Sequence, residues 1–207
     1  HRRVAAPDLP GHGSRAHQRF TMDSAVDTVD EAIDSVGGRA LLVGLSLGGY
    51  VAIATAARHP TKLPGMVAMS CTARITPVRT VPYRMMGWMS GTYGDAMQRW
   101  IFRRTLGAQA ATTIGAGGLY GRAVPDVIDA LRRFDAVAAL AGYDGPSWLI
   151  NGSRDHFRVD ETRFLAACRH GHLDHVPRAG HLLSLTHPVS VSERIESVIA
   201  EVEAISA

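Results

Sequence analysis

Apolar and polar positions switch between two periods along this chain. Residues 22–35 place Met22, Val26, Val29 and Ile33 at spacings of four, three and four, with Asp23, Asp27, Asp30, Glu31 and Asp34 between them. That spacing predicts an amphipathic helix with a solvated acidic face, and Gly37-Gly38 ends it. Ala40 to Leu45 is an unbroken apolar run, which predicts a strand buried on both faces. From Ser46 to Arg58 the period turns helical and Ala-rich until His59-Pro60 stops it. Met66–Met69, Ser147–Ile150 and Leu173–Val176 predict further strands, and Glu161–Ala167 and Val191–Ile205 further helices. Near the start, Val4-Ala5-Ala6 reads as the end of a short strand, followed by the loop Pro7 to Ser14.

Strands alternating with helices imply an α/β fold, a mostly parallel sheet flanked by helices. Residues 72–140 break the alternation. They are rich in Gly, Met and aromatic residues, helical in pieces, and hold no strong strand. The expected organisation is a core of residues 1–71 and 141–207 with an inserted helical cap at 72–140. Within that cap Met85, Met86, Trp88, Met89, Met97, Trp100, Ile101 and Phe102 crowd together. The plain reading is the cap's own core. The sharper reading is an adaptable apolar acyl pocket, because Met repacks around ligands, and it points to Trp88, Met89 and Trp100 as substrate-binding residues.

Composition narrows the function classes. Hydrophobic residues make up 46% of 207 and charged residues 20%, the balance of a chain that buries a core rather than staying disordered. The net charge is only +3, and the arginines are scattered with no basic run, so nucleic-acid binding has no footprint. Leu41–Ala57 carries no charge but is broken by Gly44, Gly48 and Gly49, and it is shorter than the roughly 20 residues a membrane span needs. Cys71 and Cys168 form no disulfide framework and no CxxC pattern, which suits a reduced cytoplasmic setting.

The strongest chemical signal is Gly44-Leu45-Ser46-Leu47-Gly48, a G-x-S-x-G match between a predicted strand and a predicted helix. A serine hydroxyl needs a base to take its proton, so it must stand exposed on a sharp turn. Glycines on either side are expected because side chains there would clash. Such an elbow predicts an acid and then a histidine, each in a loop after a strand. Asp155 follows the strand 147–150, and His181 follows the strand 173–176. At the alternative acid position, after Met66–Met69, the chain reads Ser70-Cys71-Thr72, with no carboxylate. Asp144 precedes its strand, and Cys71 reads as a packed thiol. His12 sits in a Gly-flanked loop and reads as structural, and His59 closes a helix. His170, His172, Asp174 and His175 lack metal-ligand spacing and read as strand-edge residues, so no metal is expected.

These motifs resemble the α/β-hydrolase superfamily, in the branch with a lid between the sixth and seventh strands. Asp8-Leu9-Pro10-Gly11-His12-Gly13-Ser14 is similar to the loop after that family's fourth strand, Gly44–Gly49 to its nucleophile elbow, Gly152–Asp155 to its acid loop and Gly180-His181 to its histidine loop. The resemblance implies a catalytic triad of Ser46, Asp155 and His181, an oxyanion donor in the N–H of Leu47, an acyl-enzyme intermediate and no cofactor. Its implied substrate is a small molecule with an ester-type bond. Esterase, lactonase, thioesterase, C–C hydrolase, perhydrolase and acyltransferase chemistry all remain open on that triad, and so does an oligomeric state.

The family's second oxyanion donor comes from a His-Gly loop after its third strand, and His12-Gly13 fits the fourth-strand loop instead. The chain is therefore expected to lack the N-terminal strands. Either a gap should lie beside residues 41–45, or residues 1–6 should pair there. A catalytically weak or inactive relative acting as a ligand-binding protein stays open as the second class of function.

Overall fold

The computed structural model describes residues 2–76, 81, 100, 103, 104, 112, 118 and 120–206. Two compact units divide the chain. The first comprises His1–Ala6, Val29–Arg74 and Asp135–Ala207, and the second Pro7–Thr28 and Ile75–Phe134. Helix α1 (Met22–Val36) contributes residues to both.

The first unit is built on four parallel strands, β1 (Leu42–Leu45), β2 (Met66–Met69), β3 (Pro146–Gly152) and β4 (His170–Val176), in the spatial order β1-β2-β3-β4. Every connection is a crossover, so helices must cover the faces. α2 (Leu47–Arg58) packs on β1 and β2, and its residues Gly49–Ala56 are all buried. α4 (Ala136–Ala141) packs between α2 and α5 (Glu161–Ala167). On the other face, Val67, Met69, Trp148, Ile150 and Val176 form one core with Leu183 of α6 (Leu183–Thr186) and Val191, Val198 and Val202 of α7 (Pro188–Ser206). The pairing register accounts for this division. Val67 aligns with Trp148 and Met69 with Ile150, so they share a face, while Met66 and Ala68 turn toward the other.

β2 is buried throughout and β3 almost so, as their apolar runs predict. β1 departs from expectation. Val43 is 38% exposed, because among the described residues β1 pairs with β2 alone. Val4-Ala5-Ala6 is no strand: residues 2–9 have no regular structure and Val4 is 86% exposed. This stretch is tied to α7 instead, through Arg2 Nη2 and Glu203 Oε1 at 3.0 Å. β4 starts at His170, ahead of the predicted Leu173, because an edge strand tolerates polar residues on its open side.

In the second unit, Asp8 Oδ2 accepts hydrogen bonds from Ser14 N (2.9 Å) and Ser14 Oγ (3.0 Å), closing the Pro7–Ser14 loop. His12 Nδ1 lies 3.1 Å from Pro10 O, and its ring meets Tyr120 edge-on. α3 (Val124–Arg133) starts with Pro125 in its first turn, where no amide donor is needed. Trp88 and Met89 lie outside the described residues. Trp100 is 60% exposed, with the Arg104 guanidinium 5.5 Å above its ring.

Candidate active site

Ser46 joins β1 to α2 at φ 54 and ψ −113, a conformation that non-glycine residues rarely adopt. Its N–H donates to Met69 O at 2.8 Å, so the turn continues the parallel ladder. Close approach of helix to strand makes the turn this sharp. A Cβ on Gly44 would stand 2.1 Å from Gly48 O and 2.3 Å from Gly48 C. Gly48 itself corrects the expectation of clashes on both sides, since among the described residues a Cβ there meets nothing within 4 Å outside its own helix. The second tight position is Gly49, whose Cβ would come within 2.6 Å of Cys71 Sγ. Leu47 is the first residue of α2, so its N–H has no intrahelical partner and points out of the helix start.

Asp155 lies in the turn after β3. Ser153 N donates to Val176 O (3.0 Å), Arg154 N to Ala179 O (2.9 Å) and Asp155 N to Gly152 O (2.9 Å), which fixes this turn against the loop after β4. The Asp155 side chain is fully buried. Its Oδ1 accepts from Phe157 N at 2.8 Å and from His181 Nδ1 at 3.1 Å, while Oδ2 is 3.3 Å from the same nitrogen. His181 Nε2 is 2.9 Å from Ser46 Oγ. With Nδ1–H turned to the carboxylate, Nε2 is left as the acceptor facing the hydroxyl. Burial pushes the Asp155 pKa up, but the His181 and Ser70 side chains and the Phe157 amide outweigh it and hold the carboxyl below its usual range. Phe157 and His156 pack against the His181 ring at 4.7 and 5.2 Å. Burial, and then the neighbouring His181, lower the pKa of His156.

Beneath the acid loop is a polar cluster with no counterpart in the sequence reading. Glu161 Oε1 accepts from Asn151 Nδ2 (2.8 Å) and lies 2.8 Å from His175 Nε2, and Arg158 reaches both Glu161 oxygens at 3.2 Å. Arg158 Nη1 also donates to Ser153 O at 2.7 Å, tying the cluster to the loop that carries Asp155. The residues come from β3, the acid loop, α5 and β4, so no local motif announces them.

The remaining candidates each have separate partners. His172 stacks on Trp148 with centroids 5.5 Å apart, Asp174 pairs with Arg194, and Asp144 pairs with Arg169 at 2.9 Å. Cys71 is buried, and that burial pushes its thiol pKa well up. Among the described residues, no three His, Cys, Asp or Glu side chains are grouped to hold a metal ion.

A family model described as "Alpha/beta hydrolase family" matches residues 1–194. A pimeloyl-(acyl-carrier protein) methyl ester esterase of Neisseria meningitidis serogroup C is 34% identical over 169 residues, covering 73% of this chain and 64% of that protein. The chain thus spans less than two thirds of the length of this relative. A protein of the same name from Xanthomonas campestris pv. campestris is 28% identical over 219 aligned residues, covering 97% of this chain and 85% of its own. Among solved structures, a thermophilic esterase from Thermogutta terrifontis superposes with a TM-score of 0.77 at 20% identity, over 94% of this chain and 78% of that one.

Proposed function

Since this chain belongs to the alpha/beta hydrolase family, we propose that it is a serine hydrolase that cleaves an ester-type bond of a small, apolar acyl substrate. The observation that carries the reading is the run of contacts from Ser46 Oγ to His181 Nε2 at 2.9 Å, and from His181 Nδ1 to the buried Asp155 carboxylate at 3.1 Å. In the proposed reaction, His181 takes the Ser46 proton as Oγ attacks the acyl carbon, and then delivers it to the leaving alcohol. Asp155 orients the imidazole and stabilises its protonated form. The N–H of Leu47 donates to the developing oxyanion at the helix start. Water, deprotonated by His181, then attacks the acyl-enzyme and frees Ser46. Every bond made or broken belongs to substrate, water and these side chains, so no cofactor enters.

The Neisseria and Xanthomonas relatives are named for a methyl ester, which makes methyl esters of acyl chains the first substrates to assay. The apolar preference rests on the Met and Trp content of residues 72–140, including Trp88, Met89 and Trp100. Two unpaired cysteines suit a reducing cytoplasm, and no described helix is long and apolar enough to cross a membrane. A fluorophosphonate probe and a panel of methyl and p-nitrophenyl esters of rising chain length test the proposal. The expected result is rapid labelling and turnover that favours longer acyl chains. Ser46→Ala should abolish labelling and lower kcat by at least about 10³-fold. A folded wild-type protein that neither labels nor hydrolyses any ester would refute it.

A further inference from the structure

Neighbouring strands β1 and β2 end in the same way. Each runs into a serine at φ 54, Ser46 after β1 and Ser70 after β2, and these are two of only three non-glycine residues with positive φ among the described residues. Each also passes its amide to the next strand, Ser46 N to Met69 O at 2.8 Å and Ser70 N to Ile150 O at 3.0 Å. Backbone strain at a non-glycine residue persists only where the surroundings enforce it, and it concentrates at functional sites. At Ser46 the strain presents a hydroxyl to His181. Ser70 has no such role in the reaction above.

Two polar atoms near this second turn lack adequate partners. Ser70 is fully buried, and among the described residues its Oγ meets no partner at full hydrogen-bond geometry. Asp155 Oδ2, also buried, has among the described residues only the longer 3.3 Å contact to His181, because the short bonds from Phe157 N and His181 Nδ1 both fall on Oδ1. A buried donor without an acceptor and a buried carboxylate oxygen short of a donor are each unfavourable. Asp160 N donates to Thr72 O at 3.0 Å and Arg74 N to Asp160 Oδ2 at 2.8 Å, stitching the segment after Ser70 along the acid loop.

We propose that Ser70 is a positioning residue, whose hydroxyl donates to Oδ2 of Asp155 and keeps that carboxylate aligned with the His181 ring. This rests on the triad reading above. The Ser70 hydroxyl already contributes to holding Asp155 ionised. Catalytic hydrogen bonds that are loose in a resting site tighten as charge develops. Among the described residues, the other titratable groups facing Asp155 are His181, His156 and the buried Cys71 and Tyr50.

The test uses Ser70→Ala, which removes the hydroxyl and keeps the strained backbone, and Ser70→Gly, which removes both. The Asp155 carboxyl carbon is titrated by NMR in each, and kcat and KM are measured on the ester that the wild type turns over best. Both variants should move the Asp155 midpoint upward and lower kcat roughly 10-fold, with KM within about twofold. Unmoved midpoints in both variants overturn the proposal. So does a midpoint that moves in Ser70→Ala but not in Ser70→Gly, since strain and not the hydroxyl would then be responsible. The titration needs no turnover, so a wild type inactive on every ester would defeat the hydrolase reading and leave this one to the NMR result.

Discussion

Replacing the two elbow glycines one at a time separates steric need from sequence pattern. In Gly44→Ala the new Cβ would lie 2.1 Å from Gly48 O and 2.7 Å from Gly49 N. An ordinary contact starts near 3.4 Å, so the first turn of α2 must retreat from β1 by about 1 Å. Both sides of the contact are backbone, and no rotamer change can relieve it. Overpacking a dense interior costs about 1–3 kcal/mol and occasionally more, and a backbone-on-backbone clash belongs at or above the top of that range. At about 2–4 °C per kcal/mol for a domain of this size, the melting temperature should fall by roughly 6–12 °C. Because Ser46 rides on the displaced turn, fluorophosphonate labelling should slow about 10²-fold. Gly48→Ala adds the same methyl group where nothing among the described residues lies within 4 Å outside the helix. A helical Gly→Ala change stabilises by about 0.5–1 kcal/mol, so its melting temperature should stay level or rise slightly, with labelling within a few-fold of wild type. Scanning calorimetry and labelling rates on both variants decide the matter. Equal effects from the two substitutions, in either direction, would refute the steric account.

Two further outcomes follow from the packing beneath the site. Burial raises the Glu161 pKa, but Arg158, His175 and Asn151 outweigh it and hold the carboxyl below its ordinary 4.5. Its ionisation therefore stabilises the fold above about pH 4.5 and is lost as pH falls through the lowered value. Urea unfolding of Glu161→Gln should show a deficit at pH 7 that shrinks toward pH 3, and a pH-independent deficit would contradict the sign. Leu183, fully buried in the core shared with Val176 and Val198 just past His181, should lose about 2–5 kcal/mol on Leu183→Ala. A calorimetric loss under 1 kcal/mol would show that this core closes around the deletion.

Buried strands were the easiest elements to recognise, because β2 and β3 lie between two helical layers and their runs of Met, Val, Leu and Ile have no reason to alternate. β1 carries an equally apolar run, yet Val43 is exposed, since composition cannot say whether a strand has one neighbour or two. The start of β4 was missed because His170 and His172 satisfy the open face of an edge strand and break no rule there. Ser46, Asp155 and His181 were legible as an ordered series, each following a strand and the first set in a glycine-flanked pentapeptide. Ser70 and the Asn151–Arg158–Glu161–His175 cluster were not. Their meaning lies in contacts between residues far apart in the chain, and His175 alone read as one of several histidines on a strand edge. Gly48 shows the opposite error, a motif position credited with a clash that the backbone does not impose.

The sheet order β1-β2-β3-β4 has a kinetic consequence. No two of these four strands are joined by a hairpin, and β2 cannot meet β3 until the whole stretch from Met69 to Pro146 has been spanned. Closing a loop that long has an entropic cost that grows only slowly with length, but it must be met before any strand pairing offsets it. Folding dominated by such distant contacts is slow. The serine turn and its helix can form early from adjacent residues, whereas Asp155 and His181 arrive only when β3 and β4 dock. Until then, the apolar edge of β2 is open to other chains, which makes the interval before docking the period of greatest aggregation risk.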